Sequence, residues 1–110
     1  MEVSYKKNSL KKSLTKDKEI IKTYGELAKK IKERRVDLEK ADNLEIILKM
    51  PALRLHPYVA GRKGEWSIDI VKNWRIIFEI DQEPIPKLED GGVNLSEVKA
   101  IKIVSIEDPH

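Results

Sequence analysis

EWSIDIVKNWRIIFEI, residues 65–80, alternates apolar and polar side chains twice, with a break at Lys72-Asn73. Strand side chains point to opposite faces with a period of two. Trp66, Ile68 and Ile70 therefore share one face, and Ser67 and Asp69 the other. In the second run Trp74, Ile76, Phe78 and Ile80 share a face, with Arg75, Ile77 and Glu79 opposite. Two such runs joined by two polar residues read as a β-hairpin, with Asn73 as the residue able to turn left-handed. The hairpin has an apolar face that must be covered and a mixed, charged face that need not be.

The cover lies upstream. From about Asp17 to Ala41, Ile20, Ile21, Tyr24, Leu27, Ala28, Ile31, Leu38 and Ala41 recur at helical spacing. Thr15 or Asp17 suits the start of this helix, and Asp17 and Glu19 suit its positive end. The pattern lapses near Arg34-Arg35, which predicts a kink or an outward-reaching side chain there. Leu44 to Met50 gives a further turn or two of helix, ended by Pro51. Leu53 and Leu55 alternate with Arg54 and His56 in strand fashion, Met1 to Tyr5 reads as a short strand, and Val98 to Ile106 as a last one. Asp81 to Asn94 is a polar loop. Helices first and then strands predict an α+β class, with N-terminal helices packed on one face of a small antiparallel sheet in a single domain over residues 1–110.

At 110 residues the chain can bury roughly two-thirds of its unfolded surface and needs no staple. With no cysteine, a thiolate zinc site, a disulfide scaffold and a cysteine nucleophile are excluded. No metal or other cofactor is expected. No run approaches membrane-spanning length and the N-terminus lacks an apolar leader core, so a cytoplasmic protein away from the membrane is expected. Residues 1–40 carry 13 Lys/Arg against 7 Asp/Glu, although the whole chain is only +3. That asymmetry fits a polyanionic partner, with Lys29, Lys30, Lys32 and Arg34 on the exposed side of the long helix, although charge alone favours a solvated lysine face.

The polar side of the strands carries the candidate chemistry. Arg54, His56, Ser67, Asp69 and Arg75 should face away from the helices. The basic glycine loop Gly61-Arg62-Lys63-Gly64 sits at one rim, and the terminal Glu107-Asp108-Pro109-His110 at another. Asp108 and His110 point the same way if extended, which Pro109 favours. Metal-free RNA cleavage needs a base for the 2′-hydroxyl, an acid for the departing 5′-oxygen, and cations for the phosphate. The only two histidines, His56 and His110, suit proton transfer, and Arg54, Arg62, Lys63 and Arg75 supply charge. His110, with its own carboxylate and Asp108 nearby, is the better acid. Singly, each residue also has a purely structural reading: a histidine hydrogen-bonded before a proline, a frayed or tag-derived chain end, a basic turn.

RLHP, GRKGEWSIDI, NWRIIFEI and the terminal IEDPH, in that order, resemble the HigB branch of the RelE/ParE toxin superfamily from about Leu44 onward. The resemblance implies a RelE-like α+β fold and a type II toxin that cleaves translated mRNA on the ribosome. It implies a cognate helix-turn-helix antitoxin of the HigA kind, with DNA reached only through that antitoxin. It also implies catalytic roles for His56, Arg75, Asp108 and His110. Two positions depart from the family pattern: Val59 stands where a lysine is usual, and Pro109 where a tyrosine is. A non-catalytic, gyrase-directed inhibitor of the ParE kind and a plain RNA- or protein-binding module are the alternatives.

Overall fold

The computed structural model describes residues 1–58, 61–62 and 64–108. In chain order the elements are β1 (Glu2–Tyr5), α1 (Asn8–Thr15), α2 (Asp17–Tyr24), α3 (Ala28–Lys40), α4 (Leu44–Leu48), β2 (His56–Pro57), β3 (Glu65–Val71), β4 (Trp74–Ile80) and β5 (Ala100–Glu107). The strands form one five-stranded sheet in the order β1-β5-β4-β3-β2. The class is α+β, with the helices on one face of the sheet, as the element order predicts.

The expected long helix is divided. Gly25 follows α2 with φ +57° and ψ −122°, a backbone region open essentially to glycine, and a 3-10 turn over Gly25–Leu27 leads into α3. Apolar spacing alone does not register the break, because Ile20, Ala28 and Ile31 all still reach the core. At Arg34-Arg35, by contrast, α3 runs on unbroken. There the half-buried arginines lie against the body and pair with Asp37 at 3.1 Å and Glu39 at 2.9 Å. An eight-residue helix, α1, precedes the predicted one and buries Leu14. Asn43 caps α4, its side chain accepting from the Ile46 amide at 3.2 Å.

The sheet is antiparallel except at one edge, where β1 runs parallel to β5 with Val3 opposite Ile101. Parallel neighbours need a long crossover, and α1 to β4 supply it. The Met1 ammonium donates to the Glu39 carbonyl at 2.9 Å and to that of Ala41, at the end of α3 where unpaired carbonyls and the helix dipole favour a cation. The predicted hairpin forms, with Ile68 opposite Ile76 and Trp66 opposite Phe78, and the register shifts between Asp69 and Val71 beside the turn. The left-handed residue is Lys72 (φ +55°) rather than Asn73. The predicted strand at Leu53–His56 shortens to His56–Pro57, because Pro51–Leu53 forms a 3-10 turn and Arg54 is left-handed.

Ile68, Ile70, Ile76, Phe78, Ile101 and Ile103 form the sheet side of the core against Leu14, Ile31, Leu38, Leu44 and Ile47. Trp66 and Trp74 face the same core but are only half-buried. A bulge in β5 decides which of its side chains face outward. Ile77 pairs with Ser105 and Phe78 with Ile103, which leaves Val104 as the extra residue. It shifts the strand by one. Ile101, Ile103 and Ile106 thus oppose the core-facing Ile80, Phe78 and Ile76, while Ser105 and Glu107 oppose the outward-facing Ile77 and Arg75.

Phe78 is wholly excluded from solvent. Phe78→Ala should lower unfolding free energy by about 3–5 kcal/mol in urea titrations, and the half-buried Trp74 should cost less. Gly25→Ala should destabilise through backbone strain alone, since nothing lies within 4 Å of the added Cβ.

Candidate functional site

The outward face of the sheet is built from β3, β4 and the end of β5, with the short β2 at its edge. Ser67 (0% exposed) and Ile77 (1%) sit opposite each other on this face and are closed off from solvent. His56 pairs with Ser67 in register, and the Ser67 hydroxyl lies 3.1 Å from His56 Nε2. On the other side of the ring, Nδ1 is 2.8 Å from the Arg54 carbonyl. A carbonyl can only accept, so Nδ1 carries the hydrogen and Nε2 of the neutral ring takes the Ser67 hydroxyl hydrogen. If the ring becomes an imidazolium, the same hydroxyl can turn and accept. His56 can therefore change charge without losing either bond.

Two residues along β3 on the same face, Asp69 pairs in register with Arg75. Its Oδ2 is 3.3 Å from Arg54 Nη1 and its Oδ1 3.8 Å from Arg75 Nε. One carboxylate thus stands between two guanidinium groups. Oδ1 is buried and makes no hydrogen bond among the described residues, since 3.8 Å is an ion-pair distance and too long for a bond.

Arg62 forms the second cluster. Its Nη1 and Nη2 donate to the two oxygens of Glu107 at 2.8 and 2.6 Å, and its Nε donates to Glu65 at 2.6 Å. This fork-on-carboxylate geometry is the strong form of ion pair. The guanidinium also lies over the Tyr58 ring, 5.2 Å from its centroid, and the His56 ring flanks Tyr58 at 5.8 Å. Hydrogen bonds from Arg62 first, and from Ser105 second, hold the Glu107 carboxyl down at about 2, and the same pairing raises Arg62.

The structure thus brings Arg54, His56 and Arg75 together around Ser67 and Asp69, and turns Arg62 onto carboxylates. Asp108 lies exposed just past the end of β5. Lys63 and His110, with Val59 and Pro109, fall outside the described residues. Sequence reasoning assigns no role to Tyr58 or Glu107. The one available signal for Glu107 is the odd spacing from Ile103 to Ile106, which betrays the bulge and sends the following residue outward.

On the helical side, the cations of α3 that were expected to form a basic face are largely neutralised at home. Lys30 pairs with Glu33, Lys32 with Asp17, and Arg34 and Arg35 with Asp37 and Glu39. Lys11, Lys12, Lys16, Lys18 and Lys22 on and around α1 and α2 are exposed and make no ion pair among the described residues. Surface clefts of about 460 Å³ along Lys29 to Asp37 and about 430 Å³ beside Ile20, Ile21 and Gly25 also lie there. Neither overlaps the histidine face. None of the described helices is long and apolar enough to cross a membrane. No protein-family model and no curated protein matches the chain.

The Arg62–Glu107 pair has a signature in acid. Glu107 titrates at about 2 when folded, against 4.5 for an unperturbed glutamate carboxyl. The unfolded chain therefore takes up the proton first as pH falls. The stability contributed by the pair is complete above about 4.5 and disappears on the way down to about 2. Urea midpoints followed through this window should fall more steeply for the native protein than for Glu107→Gln. Parallel curves would show that the pair contributes nothing.

Proposed function

We propose that this protein is the toxin of a type II toxin–antitoxin pair, a HigB-like member of the RelE/ParE superfamily that cleaves translated mRNA on the ribosome in the cytoplasm. The observation that carries the reading is a histidine seated on Ser67 and, two residues along the same outward strand face, two arginines sharing the carboxylate of Asp69. These are the group types that metal-free phosphodiester cleavage needs, at positions named by the resemblance to that family.

In the proposed reaction a base removes the proton of the 2′-hydroxyl, whose oxygen attacks the adjacent phosphorus. The bond to the 5′-oxygen breaks, an acid protonates that oxygen, and a 2′,3′-cyclic phosphate remains. His56 is the base through Nε2, its ring held by the Arg54 carbonyl at Nδ1. His110 is the acid, with the negative charge of Asp108 favouring its imidazolium in this reading. Arg75 and Arg54 take the charge that builds on the phosphate, and Lys63 adds to it from the glycine loop. No cofactor enters these steps. A helix-turn-helix antitoxin of the HigA kind restrains the toxin and links it to DNA. The exposed lysines of α1 and α2 support a contact with ribosomal RNA there.

One observation favours the non-catalytic, ParE-like reading. Arg62, assigned to the phosphate, is already neutralised by Glu65 and Glu107. Val59 and Pro109, at positions where the family has a lysine and a tyrosine, point the same way.

Inducing the protein in growing cells and mapping mRNA 5′ ends separates these readings. New ends within translated codons are expected, and His110→Ala should reduce them by about 10²–10⁴-fold, the usual contribution of a general acid. Growth arrest without new ends would overturn cleavage in favour of the ParE-like reading. Replacing Lys11, Lys12 and Lys16 by glutamine should flatten the salt dependence of ribosome binding. An unchanged slope removes this surface from the contact.

A further inference from the structure

The geometry points to Asp69 as a positioning residue that sets Arg54 and Arg75 as a two-armed clamp for a single phosphodiester. The inference rests on the reading of this face as an RNA site, and it concerns a residue to which that reading gives no role.

Arg54 and Arg75 come from different parts of the chain, a turn before β2 and the start of β4, and among the described residues only Asp69 pairs with both. Asp69 is fixed in the middle of β3, with its side chain 15% exposed, whereas that of Arg54 is 68% exposed. The carboxylate is therefore the rigid member and the guanidinium groups are the adjustable ones. Arg54 is held a second time through its backbone, since its carbonyl accepts from His56 Nδ1. A chain of contacts thus runs Ser67, His56, Arg54, Asp69, Arg75 across the outward face.

Asp69 holds without saturating. Its contact with Arg75 is an ion pair at 3.8 Å, and Arg75 donates no hydrogen bond to it. The planar donor fork of Arg75 remains available to an oxyanion. Two guanidinium cations against one carboxylate leave a single positive charge, and one phosphodiester anion balances it. Asp69 thus keeps two like charges near each other with room for one anion, the arrangement a preorganised phosphate site requires.

The test turns on a sign. If Asp69 acted only by its charge, removing that charge would make the face more positive and tighten anion binding. If it positions, removing the charge releases the arginines and loosens binding. The probe is an RNA trinucleotide with 2′-O-methyl groups, which cannot be cleaved, titrated calorimetrically into the full chain. Asp69→Asn is nearly isosteric and should weaken binding by roughly tenfold, the order of one charge-assisted hydrogen bond, and Asp69→Glu should recover part of the loss. Tighter binding by Asp69→Asn overturns the inference, as does a native protein with no affinity for the trinucleotide. Should Asp69→Asn fail to fold, a cycle of Arg54→Gln, Arg75→Gln and the double variant reads the same property. Coupled losses support a clamp, and additive losses overturn it. Positioning effects in a protein that makes no new mRNA ends would defeat the nuclease reading alone. New mRNA ends with tighter binding by Asp69→Asn would defeat this inference alone.

Discussion

The sheet of this protein is buried on both faces at its centre, and much of the rest depends on that. Helices close one side over Ile68, Ile76 and Phe78, as they do in any two-layer α+β fold. On the other side Ser67 and Ile77 are equally closed, yet none of the described helices lies over them. On this side His56 bonds to Ser67 from the edge strand β2, and Arg62 bonds to Glu107. A buried hydroxyl without a partner costs free energy on the order of 1–3 kcal/mol. Ser67 therefore needs the imidazole as much as the imidazole needs an anchor.

This outward face is studded with carboxylates. Glu65 and Asp69 on β3 and Glu107 on β5 each receive an arginine. The two clusters differ in kind. Arg62 is held by short, forked bonds to two acids, with an aromatic ring beneath it, so it is locked. Arg54 and Arg75 share one acid at longer range, so they are guided and remain able to accept another anion. The face thus combines a structural ion pair that fixes the end of β5 with an unsaturated pair of cations beside a histidine. A site that must hold a phosphate needs both rigidity in its frame and unspent donors in its centre.

How much of this is legible in the sequence depends on the range of the interaction. The hairpin and its core face are written in the alternation of residues 65–80, because a strand's period of two leaves few alternatives, whereas the register shift between Asp69 and Val71 is not. The helices are legible as a face but not as segments. Gly25 breaks the rod at a point where Ile20, Ala28 and Ile31 keep the periodicity going. The lapse at Arg34-Arg35, which spacing alone reads as a kink or an outward-reaching side chain, reflects half-buried arginines paired along a continuous α3. The parallel pairing of β1 is unreadable locally, since its partner β5 lies almost a whole chain away. Arg62 and Glu107 are 45 residues apart, and nothing in a basic glycine loop says which acid it will meet. Strand parity foresees His56 and Arg75 on the outward face, but Arg54 reaches it from a left-handed turn and not from a strand, and the joining of the two arginines by Asp69 is not legible in the sequence.

Arg54 shows how local cost and function meet in this fold. It is left-handed, at φ +45° and ψ +52°, a conformation that disfavours a side-chain-bearing residue by roughly 1–2 kcal/mol relative to the right-handed one. Glycine would take that shape freely but would bring no charge. The surrounding contacts offset the strain from both ends, His56 binding the carbonyl and Asp69 the guanidinium. The left-handed turn also ends the 3-10 segment at Leu53 and aims the chain into β2, which puts His56 opposite Ser67. Entry into the sheet, the tautomer of the histidine and the placing of one arm of the cation pair thus share a single backbone conformation. Strain of this kind persists only where several contacts over-determine it, and here all of those contacts belong to the candidate site.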